Sequence, residues 1–232
     1  VGYGEDEICD LARAKIRKAC GREDVDVHFL VGGTQTNATV IAAILRPHQG
    51  ALSADTGHIN VHETGAIEAT GHKVIAMPGT DGKLTPAAIA AAAAQHCAQP
   101  GVYDEHMVLP RMAYISDATE LGTVYTKAEL TALRAACDAH GMCLYLDGAR
   151  LAQALTAAGN DLRPEDLPQL CDAFYIGGTK NGLLFGEAMV IINDALKPGF
   201  RRAMKRSGAM LAKGRLLGVQ FAAALEQDLW LD

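Results

Sequence analysis

The chain has no CxxC cysteine pair, no apolar run near the ~20 residues that span a bilayer, and no strongly basic segment. Each absence removes a class of protein. Its six cysteines, Cys9, Cys20, Cys97, Cys137, Cys143 and Cys171, fall mostly on helix or strand patterns, so buried free thiols are expected rather than disulfides or zinc ligands. With no charged-then-apolar leader at its start, the chain is expected to be cytoplasmic, in a reducing compartment and without a membrane partner. Net charge is −6 at pH 7, and lysines and arginines are scattered apart from a cluster between Lys197 and Arg215, which argues against nucleic acid as a partner. Neither GxGxxG nor GxxxxGK[ST] occurs, which disfavours dinucleotide and Walker-type sites. Internal repeats and long linkers are also missing.

What is present is 232 residues, 49% hydrophobic and 21% charged, enough to bury a large core. Short β-rich runs at 25–31, 51–54, 73–77, 112–116, 142–146, 173–176 and 188–192 alternate with helical patterns. The helices include 36–45; 86–95, with Thr85 as N-cap and Pro86 in the first position; and 127–140, closed by Gly141. This alternation predicts an α/β protein with three αβα layers, its seven-stranded sheet mostly parallel and covered on both faces.

In such sheets ligands gather beyond the carboxyl ends of the strands. There GGTQTN (32–37) follows the first strand and opens a helix, so its backbone N–H groups and the Thr34 hydroxyl suit an anion such as phosphate; a plain tight turn would read the same way. DGAR (147–150) ends the buried run MCLYL with a carboxylate, which is costly unless a cation answers it. Arg150 is one candidate, and the protonated pyridine nitrogen of a cofactor is another. GGTKNG (177–182) then puts Lys180 at the end of a neighbouring apolar strand, where an aldehyde cofactor needs its amine. Phosphate cup, aspartate and lysine together point to pyridoxal 5′-phosphate. His58 and His62, four apart with Asp55 nearby, also have metal-ligand types, but no third histidine or cysteine lies at useful spacing, and no metal is expected.

YGEDE (3–7), GGTQTN, DTGHINVHETGA (55–66), DGARL and GGTKNG resemble the low-specificity threonine aldolase and β-eliminating lyase family of fold type I pyridoxal-phosphate enzymes, over nearly the whole chain. The resemblance implies Lys180 as the lysine that binds the cofactor covalently and Asp147 as the partner of its ring nitrogen. Gly33, Thr34 and Gln35 would hold its phosphate, Thr179 would touch it, Arg150 would hold the substrate carboxylate, and His58, five residues before Glu63, would lie over the ring. His62 stands where the family has an aromatic residue, and a structural place on a helix face is expected for it. Thr119 stands where many members carry a second histidine, which leaves open whether His58 or a bound water takes the hydroxyl proton.

Three functions follow: an aldolase cleaving a threonine or allo-threonine type β-hydroxy-α-amino acid to glycine and an aldehyde, a β-eliminating lyase, and a non-catalytic cofactor-binding remnant. The aldolase leads. The family assembles as homodimers or homotetramers with shared sites, where Lys213 or Arg215 would reach phosphate in its own or a partner subunit. The chain opens on VGYGEDE and closes on LEQDLWLD, so residues 1–232 are expected to form the large cofactor-binding domain, with about 200–232 as a helical segment leading toward a small C-terminal domain that this sequence does not include.

Overall fold

The structure, a computed structural model, describes residues 2–226 and 230–231. In chain order its elements are α1 (Glu7–Ala19), β1 (Asp26–Leu30), α2 (Gly33–Ile44), β2 (Gln49–Ala54), α3 (His58–Val61), β3 (Val74–Met77), α4 (Pro86–Gln95), β4 (Cys97–Gln99), β5 (Val102–Tyr103), β6 (Leu109–Ser116), α5 (Lys127–His140), β7 (Cys143–Asp147), α6 (Leu151–Leu155), α7 (Leu167–Leu170), β8 (Ala173–Gly177), β9 (Glu187–Ile191), α8 (Phe200–Arg206) and α9 (Arg215–Ala224). Seven strands form one sheet in the order β1-β9-β8-β7-β6-β2-β3. All run the same way except β9, which is antiparallel to both β8 and β1.

Alternation along the strands sorts side chains into two apolar layers. Leu144, Leu146, Phe174, Ile176 and Val190 face Ile16 of α1, Ile89 of α4, Leu130 and Leu133 of α5, and Phe221 of α9. Met112, Tyr114, Tyr145, Tyr175 and Met189 face Val40 and Ile41 of α2, Ile59 of α3, and Phe200 and Met204 of α8. Helices therefore cover both faces, as expected for three αβα layers.

Local chemistry sets the helix ends. Thr85 caps α4 by accepting from the Ala88 N–H at 3.2 Å, with Pro86 behind it. Thr126 and Glu129 close a reciprocal capping box on α5, which stops at Gly141 in a left-handed conformation, φ 63°. The structure departs from expectation at α2, which begins at Gly33 rather than Thr36 because the GGT turn is itself the first helical turn after extended Gly32. The hairpin of β4 and β5 was not expected; its strands are two or three residues long and turn through Pro100 and Gly101. Of the helical segment expected over about 200–232, α8 and α9 account for much, while residues 227–229 and 232, like residue 1, lie outside the described residues. All six cysteines are unpaired, with Cys97 and Cys143 only half-buried. Among the described residues no helix is long and apolar enough to cross a membrane.

Candidate active site

Because six strands run the same way, their carboxyl ends meet at one edge of the sheet, joined by the amino end of reversed β9. Here a cleft of about 430 Å³ is lined by Gly33, Thr34, His58, Ser116, Glu120, Asp147, Arg150, Thr179, Lys180 and Glu187, among others. The structure thus brings together residues from both ends of the span between Gly33 and Glu187.

Asp147, 3% exposed, ends β7 at the back of the cleft. Its Oδ2 accepts from Asn37 Nδ2 at 2.8 Å and the Tyr114 hydroxyl at 2.6 Å; its Oδ1 accepts from the Ala149 N–H at 3.0 Å and from the Tyr175 hydroxyl. Every one of these donors is neutral. Arg150 lines the same cleft but makes no ion pair or side-chain hydrogen bond among the described residues, so it does not answer the buried charge. Burial, with the nearby charge of Asp147, pushes the Tyr114 and Tyr175 phenols well above their ordinary range, so both remain donors at neutral pH. Gly148 makes this corner possible, since a Cβ there would stand 1.8 Å from the Tyr175 carbonyl oxygen.

Asn37 forks between two carboxylates, its second Nδ2 hydrogen bond reaching Glu63 Oε1 at 2.8 Å while its own Oδ1 accepts from the Tyr145 hydroxyl at 2.8 Å. The same Glu63 oxygen contacts His58 Nδ1 at 2.9 Å. An ionised Glu63 can only accept, so Nδ1 carries the hydrogen and Nε2 is left for other partners. That hydrogen bond raises the His58 pKa against a lowering by burial. His62 is exposed at the C-cap of α3 instead of on a helix face, its ring 5.6 Å from that of His58 and part of the cleft wall. Among the described residues no three histidine, cysteine or acidic side chains group as metal ligands.

Lys180 follows β8 on a tightly tied turn. Asn181 and Leu183 both donate backbone N–H groups to the Gly178 carbonyl, at 3.0 and 3.1 Å. Thr179 spends its hydroxyl inside the protein, donating to Glu187 Oε1 at 2.8 Å and accepting from the Gly186 N–H at 3.1 Å. Glu187, 3% exposed, also accepts from the Gly178 N–H at 3.1 Å, and burial pushes its pKa from 4.5 up to about 7.

The amino end of α2 lines the same cleft as the lysine. No partner among the described residues takes the N–H groups of Gly33, Thr34 and Gln35, and the cap residue Gly32 offers none. Such an end suits a phosphate. Gln35 contributes only its backbone N–H, because its Oε1 turns back to accept from the Val31 N–H at 3.2 Å and its side chain does not line the cleft. Lys213 and Arg215, exposed beside the start of α9, do not line it either. Thr119 is buried and shares a 2.7 Å hydrogen bond with Thr123, while its neighbour Glu120 reaches the cleft. Sequence reasoning passed over Tyr114, Tyr175, Glu120 and Glu187. The tyrosines carry a faint signal, since each sits inside an apolar strand run next to the strand of Asp147.

The strand order with its single reversed strand, and a lysine, an aspartate and a helix amino end facing one cleft, define a fold type I pyridoxal-phosphate enzyme fold. The sequence model of the beta-eliminating lyase family matches residues 1–231, and the chain belongs to that family. It is 49% identical to the solved threonine aldolase of Leishmania major, superposing with a TM-score of 0.96 over 100% of this chain and 66% of that one. It is also 32% identical over 231 residues to a low-specificity L-threonine aldolase of Pseudomonas aeruginosa, and 33% identical over 233 residues to one from a Pseudomonas species. Each alignment covers 99% of this chain, which spans 65% of the length of either Pseudomonas relative.

Proposed function

We propose that the protein carrying this chain cleaves a β-hydroxy-α-amino acid of the threonine or allo-threonine type to glycine and an aldehyde, with pyridoxal 5′-phosphate as cofactor. The observation that carries this reading is the buried Asp147 carboxylate held by neutral donors alone, facing a cleft that also offers Lys180 and unpartnered helix N–H groups. A buried anion without a cation is costly, and a protonated ring nitrogen supplies the missing charge. The residues therefore fit the cofactor at three points: its phosphate at the N–H groups of Gly33, Thr34 and Gln35, its ring nitrogen at Asp147, and its aldehyde at Lys180. When bound, the cofactor supplies an electron sink for the pair released from the Cα–Cβ bond.

The chain's own residues divide the remaining work. Asp147, fixed by four hydrogen bonds, keeps the ring nitrogen protonated, the state in which the sink is strongest. Arg150, with no protein partner for its guanidinium among the described residues, offers a fork to the substrate carboxylate. His58 is oriented through Nδ1 by Glu63, and Asn37 ties that pair to Asp147, so the ring wall and floor are set by one network. Thr179 serves the site through Glu187, fastening the turn that presents Lys180.

Two further assignments belong to this reading. A homodimeric or homotetrameric assembly is supported by the exposed aliphatic residues Val31, Val61, Leu121 and Leu184 around the cleft. A cytoplasmic location is supported by six cysteines without a disulfide. The function is tested by incubating the cofactor-loaded protein with threonine and allo-threonine and assaying glycine and acetaldehyde. Pyruvate and ammonia from serine would instead indicate elimination, and bound cofactor with no product would reject both activities.

A further inference from the structure

We propose that Glu120 is the group that accepts the proton of the substrate β-hydroxyl, a role that neither His58 nor a histidine at position 119 fills here. The proposal rests on the aldol-cleavage reading and concerns the same cleft.

Glu120 is half-buried in the cleft wall, on the loop that leaves β6. Its carboxylate is held through one oxygen: Oε1 accepts from Ser116 Oγ at 2.7 Å and from the backbone N–H of His58 at 3.1 Å. The other oxygen, Oε2, takes no hydrogen bond or ion pair among the described residues. A carboxylate anchored by one oxygen keeps a fixed direction while its second oxygen retains its lone pairs, as a general base requires. Thr119 cannot take this part, because its hydroxyl is buried against Thr123. His58 is committed through Nδ1 to Glu63, which fixes its ring and leaves only Nε2 for other partners. Ser116 joins the wall to the floor: its hydroxyl also lies 3.2 Å from the Tyr114 hydroxyl, which donates to Asp147.

The step balances without an added reagent. The O–H bond of the substrate breaks and its proton passes to Glu120 Oε2. The oxygen's electron pair becomes the second bond of the aldehyde C=O as the Cα–Cβ bond opens. The cofactor, when bound, would supply the sink for the pair left on Cα; a proton from solvent completes glycine, and Glu120 returns its proton to solvent. Net charge and oxidation state are unchanged.

The test uses Glu120→Gln in the cofactor-loaded chain, where retained visible absorbance shows that the site has assembled. Three readouts separate the roles. Exchange of the glycine Cα hydrogen in D2O, followed by NMR, needs Lys180 and Asp147 but no hydroxyl chemistry and should stay within about threefold of wild type. Threonine cleavage should fall by about 100-fold or more, the range for loss of a positioned general base. Binding of threonine relative to 2-aminobutyrate, which lacks the hydroxyl, measured by stopped-flow before turnover, should lose the wild-type preference for the hydroxylated ligand. As a second variant, Glu120→Ala should regain cleavage with added formate, about tenfold, which a structural role would not produce. Unchanged cleavage in Glu120→Gln, or an unchanged hydroxyl preference, overturns the proposal. The binding comparison decides it even if wild type fails to cleave threonine, a result that would reject the aldolase reading by itself.

Discussion

Two hollows of the described residues contrast: a roomier one nearly without charge, and a smaller one on which charged side chains converge. The groove between α4, the β4–β5 hairpin and α5 has a volume of about 600 Å³ and is lined by Ala90, Ala93, Ala94, Ala98 and Ala139 with Cys97, Gln99, Tyr103 and His140. Its polar groups look inward or to solvent: Cys97 Sγ donates to the Ala93 carbonyl at 3.1 Å, and burial raises the Tyr103 pKa. The cleft at the strand ends is about 430 Å³, yet Asp147, Glu187, His58, Glu120, Arg150 and Lys180 all face it. Volume reports how badly helices meet; convergence of charge that burial makes costly reports a reason for keeping the space open.

Substitutions can break that contrast, and Lys180→Ala should have the largest effect. Borohydride reduction of the loaded protein followed by peptide mapping should place a pyridoxyl label on Lys180, and the variant should give neither label nor product. Asp147→Asn keeps the shape and the hydrogen bonds of one oxygen but removes the charge, so cofactor should still bind while kcat falls by about 10²- to 10³-fold. Turnover near wild type would show that the buried charge serves only the fold. Glu63→Gln is expected to lower the His58 pKa, read from ring-proton shifts by NMR, because the hydrogen bond that raises it is weakened. The same pair stabilises the fold fully below the ordinary histidine pKa and loses that effect as pH rises through the raised value. The variant's stability should accordingly vary less over that range in urea titrations.

Glu187 tilts stability the same way over a lower pH range, with burial rather than a charged partner as the cause. Between pH 4.5 and about 7 it holds its proton folded and loses it unfolded, so it makes stability fall as pH rises. Glu187→Gln should flatten that fall between pH 5 and 7, and an unaltered slope would mean that its burial is relieved by water. In the alanine-lined groove, Ala94→Ser should change stability by no more than about 0.5 kcal/mol and leave cofactor binding untouched; a loss of cofactor there would erase the distinction between the two hollows.

Short β-rich apolar runs were sufficient to locate all seven strands of the main sheet, because a sheet buried on both faces needs apolar residues at nearly every strand position. The ends were less legible. β2 begins at Gln49 and β6 at Leu109, outside the expected runs, since pairing between those strands overrides the weak preferences of Gln49, Gly50 and Pro110. In the cleft, Lys180, Asp147, Arg150 and the GGT turn could be named from the sequence because each closes or follows an apolar run abruptly. Glu120 and Glu187 could not. Glu187 looks like the polar start of a strand until the reversed direction of β9 is known, and Glu120 looks like an ordinary loop acid until Ser116 and the His58 N–H are seen to hold it. Gln35 shows the converse: its place in the motif was clear, but not that its side chain turns back to Val31.

The reversal of β9 also bears on local unfolding. Because β8 and β9 form an antiparallel pair, the segment carrying Lys180 is a short loop closed at both ends, latched where the Gly178 N–H donates to the Gly186 carbonyl at 2.8 Å. A parallel return would have needed a long crossover, whose excursions open far more chain. Amide hydrogen exchange should therefore be slow at Gly178 and fast at Leu184, whose N–H, among the described residues, meets only the Gln220 side chain, at 2.8 Å. The lysine can swing on its own side-chain torsions between cofactor and solvent while the peptide beneath it stays latched to the sheet.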